Sequence, residues 1–143
     1  GGFDLTHARH ILYLSRCKKL GDILVVGVGS DYDIQTVKGD GRPILNENAR
    51  LYTVDNLKPV DYCCLNTPMK KGEHSLASER VALSLLRPDI YANIDDAFDI
   101  PYRQKIVDEI GIRLVVLKRE GEIPSYLKNI STTKIIARAQ GCK

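Results

Sequence analysis

Apolar positions along the chain fall into short blocks that alternate between two spacings. The first block recurs at helical spacing through Ile11, Leu12 and Leu14, which predicts a helix over 8–20 with Gly21 as its stop. The run DILVVGVG over 22–29 is apolar without alternation, as expected of a strand buried on both faces. A polar, glycine-containing loop is expected over 30–43, then a helix over 46–58 that Pro59 ends, and a strand over 60–65. A loop over 66–73 with Pro68, Lys70, Lys71 and Gly72 leads to a helix over 75–86 and a strand over 90–94. Pro101 opens a further helix that Gly111 closes. A strand over 113–118, a loop over 121–129 and a helix over 131–139 complete the pattern. Helix and strand alternate throughout, which argues a doubly wound parallel sheet with helices on both faces.

At 143 residues the chain suits one domain, 1–143, large enough to bury roughly 70% of its unfolded surface. The 21 basic and 18 acidic residues are interleaved, and a net charge of +3 forms no basic stripe. Nucleic acid is therefore not an expected partner. No apolar run approaches the roughly 20 residues that span a bilayer, so a membrane role is not expected either. Cys17, Cys63, Cys64 and Cys142 lack CxxC spacing. Buried, reduced thiols in a cytoplasmic protein are expected, with Cys63 and Cys64 on opposite faces of their strand and no metal among them.

Three stretches carry chemistry, and each is suited to phosphate. The first is Gly1 to His10, GGFDLTHARH. Its glycines allow a ligand near the backbone. His7 and His10, three apart at a helix start, share one face where free N–H groups and the positive helix end favour an anion. Two imidazoles there can stabilise charge on a phosphoryl group with no covalent nucleophile. A metal fragment is the competing reading, but His74, the third histidine, lies in a polar loop where a solvated side chain is expected. The second stretch, KGDGRPILNENAR over 38–50, places Lys38 beside glycines and supplies Arg42 and Arg50 for bidentate contacts. The third, ISTTKIIAR over 130–138, leads a helix with Ser131, Thr132 and Thr133, where a cap and an anion site use the same amides. Arg138 is expected to face solvent. The second and third stretches each follow an expected strand, and ligands bind such sheets at the carboxyl ends of strands.

GGFDLTHARH resembles the GxFDxxHxGH signature of the cytidylyltransferase-like nucleotidyltransferases, and ISTTKII resembles their second signature. KGDGRPI followed by Arg50 is most similar to the adenylyltransferases that activate heptose 1-phosphate. The resemblance implies a Rossmann-like parallel sheet of about five strands. It also implies a strand before the GxFD stretch, so the first strand is expected to be missing from a chain that begins at Gly1, as in a truncated protein. Arg9 stands where the family carries glycine, and NIDD over 93–96 departs from the family's base-proximal segment.

The resemblance further implies a nucleotide site formed by Gly2, Phe3, Asp4, His7, His10, Lys38, Arg50, Ser131, Thr132 and Thr133. His7, His10 and Lys38 are its catalytic groups, and Ser131 to Thr133 hold the β- and γ-phosphates. Asp4 is read from the residues as ordering its own turn. Asp31 and Arg42 fall on the acceptor side, with Arg42 also open to a structural role. Magnesium accompanies the triphosphate, with no carboxylate cage for it in the chain. The expected reaction transfers AMP from ATP to a sugar 1-phosphate and releases pyrophosphate. The alternatives are a CTP-dependent enzyme acting on glycerol 3-phosphate or a related alcohol phosphate, and a nucleotide-binding module kept from turnover by Arg9. Family members are commonly dimers or larger, so a homo-oligomer is expected.

Overall fold

The computed structural model describes residues 1–119 and 123–141. Cys142, and Gly121 at the start of the expected 121–129 loop, lie outside the described residues. In chain order the elements are α1 (Ala8–Lys18), β1 (Val25–Val28), α2 (Asp31–Lys38), α3 (Glu47–Asp55), β2 (Tyr62–Leu65), α4 (Ala77–Leu86), β3 (Ile90–Ile94), α5 (Ile100–Ile110), β4 (Arg113–Leu117) and α6 (Thr132–Ala139), with a 3₁₀ turn at Ser125–Leu127 before α6.

The α/β alternation and the parallel pairing expected from the sequence are present. β1 runs parallel to β2 with Val25 opposite Tyr62 and Val28 opposite Leu65. β3 runs parallel to β4 with Ile90 opposite Arg113 and Ile94 opposite Leu117. Among the described residues these are two separate two-stranded ladders rather than one continuous sheet. On the edge of β1 away from β2, the Gly1 amino group donates to the Gly27 carbonyl at 2.7 Å, and the Gly29 N–H donates to the Gly1 carbonyl at 2.8 Å. That is the bonding of a parallel partner, so the glycines of the first stretch lie flat along β1. The Tyr13 hydroxyl of α1 donates to the Ala92 carbonyl of β3 at 3.1 Å and ties the helix to the second ladder.

Two apolar clusters hold these layers. Phe3, Leu14, Val26, Val28 and Val54 join α1 and α3 to the β1–β2 ladder. Leu76, Leu83 and Ile106 join α4 and α5, with Tyr91 of β3 packed against them.

The expected loop over 30–43 is corrected in its first half. Ser30 caps α2 by accepting from the Asp33 N–H, and Asp31 and Asp33 place negative charge in the first turn. Gly39, at φ 85°, ends the helix in a conformation that a side chain would strain. Lys38 therefore stands on the last turn of a helix, not in a flexible loop. His74 is also corrected. Its ring stacks on Tyr102 at 3.8 Å, and its Nε2 lies 3.3 Å from an Asp99 oxygen, so it is half-buried and packed on α5, with only part of the side chain solvated.

Candidate functional site

The site grows from the turn before α1. Phe3 and Leu5 take positive φ of 51° and 49°, which folds the chain back so that His7 caps α1 in extended conformation. The His7 N–H donates to His10 Nδ1 at 3.3 Å, and the two imidazoles stack with centroids 4.0 Å apart. Phe3 lies against His10 at 5.6 Å. Because His10 Nδ1 accepts a bond, its neutral ring carries the proton on Nε2, which makes Nε2 a donor.

Both rings are neutral at pH 7. Burial pushes His10 down to about 4, helped by His7 and Lys38 beside it. Burial and the nearby Arg9 also lower His7, whose Nδ1 is buried with no hydrogen-bond partner. Lys38 is held below the usual lysine range by desolvation and by Arg42, against the pull of Asp4.

Asp4 does not order its own turn as expected. Its carboxylate accepts from Arg42 Nε at 2.7 Å, from the Ile44 N–H at 3.0 Å and from the Leu45 N–H at 3.1 Å. At 2% exposure it is a fastener for the 42–45 loop. Burial alone would raise its pKa, but those amides and the guanidinium outweigh burial and keep it below the ordinary carboxylate range. Arg42 is 16% exposed at its side chain, and its Nη2 is buried without a partner.

Arg50 is fully buried, at 0% exposure. Its Nε donates to the Leu45 carbonyl, Nη1 to the Gly2 carbonyl at 2.7 Å, and Nη2 to Asp31 Oδ1 at 2.7 Å. The expected phosphate contact has no surface to occur on here. Arg50 instead fixes the glycine turn and the start of α2. Asp31 completes that strut while its side chain stays 41% exposed, the one acidic group of the expected acceptor side that still meets solvent.

The third stretch closes on the first. Ser131 caps α6, its Oγ accepting from the Lys134 N–H at 3.3 Å. Thr132 Oγ1 donates to the Asp4 carbonyl at 2.8 Å, so its proton points inward rather than to a ligand. Thr133 and Arg138 are exposed. Arg9 Nη1 donates to the Ile130 carbonyl at 3.4 Å. Beside this junction lies a cleft of about 380 Å³ lined by Arg9, Lys128, Asn129, Ile130, Ser131 and Lys134. Sequence reasoning alone does not reach Lys128 and Lys134. Their signal is the pair of lysines bracketing the Ser-Thr-Thr run.

The structure thus brings Gly2, Phe3, Asp4, His7, His10, Lys38 and Arg42 around one turn, and Ser131 and Thr132 against it. Among the described residues no group of three or more His, Cys, Asp or Glu side chains is arranged to hold a metal ion.

Comparison with known proteins decides what this arrangement belongs to. A family model described as cytidylyltransferase-like matches residues 1–138. The chain belongs to the cytidylyltransferase-like family. Several curated members are similar along the chain. The bifunctional protein HldE of a Nitratiruptor species is 32% identical over 145 residues, covering 99% of this chain and 27% of that protein. The bifunctional protein HldE of Helicobacter pylori is 36% identical over 141 residues in one strain, covering 96% and 26%. The chain spans about a quarter of the length of these curated relatives. The crystal structure of a lipopolysaccharide core biosynthesis protein from Thermoplasma volcanium is 34% identical with a TM-score of 0.62, over 82% of this chain and 89% of that one. The cytidylyltransferase-like domain is a nucleotidyltransferase-type domain with a Rossmann-like α/β fold. No helix among its described residues is long and apolar enough to cross a membrane.

Proposed function

We propose that this domain transfers AMP from ATP to a sugar 1-phosphate and releases pyrophosphate. The observation that carries the reading is the meeting of the His7–His10 pair with the start of α6 through the Thr132–Asp4 bond. Support for a sugar phosphate comes from the relatives named HldE and from the neighbour described as a lipopolysaccharide core biosynthesis protein.

In this reading an acceptor phosphate oxygen attacks the α-phosphorus in line, the bond to the β-phosphate oxygen breaks, and pyrophosphate carries away the electron pair. His10 Nε2–H and His7 donate to the oxygens on which charge builds. Lys38 contributes a cation to the phosphates, and Ser131 with the amides of α6 receives their far end. Gly2 and Phe3 supply backbone approach, Asp4 and Arg50 hold the turn, and Asp31 with Arg42 faces the acceptor. Magnesium would arrive with the triphosphate, held by phosphate oxygens and water, since the described residues form no cage for it. A homo-oligomer in the cytoplasm is part of the same proposal, its assembly checked by light scattering.

The test is thermal stabilisation by ATP and by CTP, each with magnesium, followed by pyrophosphate release with sugar 1-phosphates. A ligand that binds only the folded state raises its stability by mass action. A shift with ATP and turnover with a sugar 1-phosphate are the expected results. A shift with CTP alone would replace this reading with a cytidylyltransferase acting on an alcohol phosphate, an alternative that the NIDD segment over 93–96, unlike the family's base-proximal segment, leaves open.

A further inference from the structure

At the carboxyl ends of β1 and β2, two buried acceptor atoms have no donor among the described residues: Asp33 Oδ2 and Asn66 Oδ1. Asp33 stands in the first turn of α2, just after β1, and Asn66 directly follows β2. The two residues are 7% and 5% exposed. Each is held by a second bond. Asp33 Oδ1 accepts from the Met69 N–H at 2.9 Å, and the Asn66 N–H donates to the Val28 carbonyl of β1 at 2.8 Å. These bonds put both residues in the seam between β1, α2 and the 66–69 segment. A side chain at position 27 would bring its Cβ to 2.6 Å from Asn66 Oδ1, so Gly27 opens the space that this oxygen occupies. Buried polar groups are nearly always paired, because leaving one unmade costs more than a made bond returns. Two orphans of the same kind in one seam call for a donor from outside the chain.

We propose that Asp33 and Asn66 read hydroxyl groups of the acceptor, and that the domain selects a polyhydroxylated phosphate ester over one of equal size without hydroxyls. Both atoms accept and neither donates, which suits an O–H donor and excludes a carbonyl or phosphate oxygen. A bare cation suits them less. Hard cations take about six or more oxygens, and among the described residues no group of three or more His, Cys, Asp or Glu is arranged for one. The position also fits. Ligands of such sheets bind at the carboxyl ends of strands, and Asp31, the exposed carboxylate on the acceptor side, shares the first turn of α2 with Asp33. The cover over the pair is thin: Thr67, Pro68 and Lys70 are exposed, and Met69 is the buried residue among them. Its unbranched side chain can swing aside as a ligand enters. A site built on such acceptors rejects an analogue lacking the hydroxyls, since the acceptors are then left buried and unpaired. The inference rests on the proposed nucleotidyl transfer for the phosphate ester of the acceptor.

The test is calorimetric titration with mannose 1-phosphate, glucose 1-phosphate, glycerol 3-phosphate and cyclohexyl phosphate, each with and without magnesium and a non-hydrolysable ATP analogue. Wild type, Asp33→Asn, Asp33→Ser and Asn66→Leu are compared, with circular dichroism and urea denaturation as checks on folding and thermal stabilisation by ATP alongside. Wild type should bind at least one of the hydroxylated esters roughly tenfold or more tighter than cyclohexyl phosphate. In each variant that ratio should fall by about fivefold to tenfold, the scale of one lost hydrogen bond, while cyclohexyl phosphate and ATP stay within about twofold of wild type. Asp33→Asn places a donor where the orphan acceptor stood. Its resistance to urea should therefore hold or rise while discrimination falls, a split that a merely structural carboxylate would not give. Unchanged discrimination in every folded variant overturns the inference and leaves the two atoms to a resident water. If ATP binds wild type and no hydroxylated ester is preferred over cyclohexyl phosphate, the inference fails and the nucleotide reading stands. If hydroxylated esters bind in a way that depends on Asp33 and Asn66 but ATP neither binds nor stabilises, the inference stands and the nucleotidyl-transfer reading fails.

Discussion

Thr132 Oγ1 donates to the main-chain carbonyl of Asp4 at 2.8 Å, across 128 residues of sequence. The bond joins the start of the last helix to the turn that carries both histidines. It fixes where the α6 amides stand relative to His7 and His10, so it bears on site geometry as much as on stability. Thr132→Val keeps the shape and removes the donor. The expected cost is about 1 kcal/mol of unfolding free energy, the usual net value of one such bond. Urea denaturation checks that figure. Nucleotide-induced stabilisation should fall as well, and an unchanged ligand shift would mean that the bond does not position the site.

Arg50→Lys separates a strut from a ligand contact. Arg50 is buried and its Nε, Nη1 and Nη2 all bond within the protein, and a lysine can replace only part of that fork. The expected result is a stability loss of roughly 2–4 kcal/mol, as for other buried charged groups left partly unpaired. The KM for nucleotide in the folded fraction should change little. A stable variant with KM raised roughly tenfold would instead make Arg50 a phosphate contact.

These two residues mark how far the sequence can be read. The strands are legible because each appears as a short apolar run, although β1 buries only Val26 and Val28 and leaves Val25 exposed rather than being buried on both faces, and the helix bounds follow from caps and glycines. The histidine pair and the Ser131 cap are legible because each sits at a helix start, where local spacing sets geometry. α2 is hidden because its first turn, Ser30 to Asp33, is as polar as a loop. Its cue is a serine three residues before an aspartate, with Gly39 as the stop. Arg50 reads as a ligand contact and Asp4 as a residue that orders its own turn, because a charged residue in a polar stretch carries no sign of which way it points. Only the long-range bonds to Gly2, Asp31 and Arg42 reveal it. His74 escapes for the same reason, since Tyr102 and Asp99 reach it from α5 and its cap.

Asp4→Asn tests the fastener. The substitution removes the charge that partners Arg42 and leaves that guanidinium only 16% exposed and uncompensated. Removing one member of a buried pair typically costs about 3–5 kcal/mol. The measurement is chemical denaturation of Asp4→Asn, of Arg42→Met and of the double variant. The cycle should give a coupling of at least about 1 kcal/mol, because the single losses share one interaction. Additive losses would assign the role of Asp4 to its bonds with Ile44 and Leu45 alone.

Protonation of His10 offers the sharpest check on the state of the site. Its pKa is pushed down to about 4 in the folded protein, against 6.5 for the ordinary side chain. The unfolded chain therefore binds more protons between these two values, so stability rises with pH through that window and is lost as pH falls from about 6.5 to about 4. The full shift corresponds to roughly 3 kcal/mol at most, less whatever solvent screening removes. His10→Gln should flatten this part of the stability–pH curve, measured by denaturant titrations from about pH 4 to about pH 7. Nucleotide should act in the opposite direction. A phosphoryl anion beside the imidazoles favours their charged form, so ATP binding near about pH 6 should take up protons. Calorimetry in two buffers of different ionisation enthalpy reads that uptake directly. Loss of uptake in His7→Gln and His10→Gln would place the anion on the histidines, whereas uptake unchanged in both would place it elsewhere.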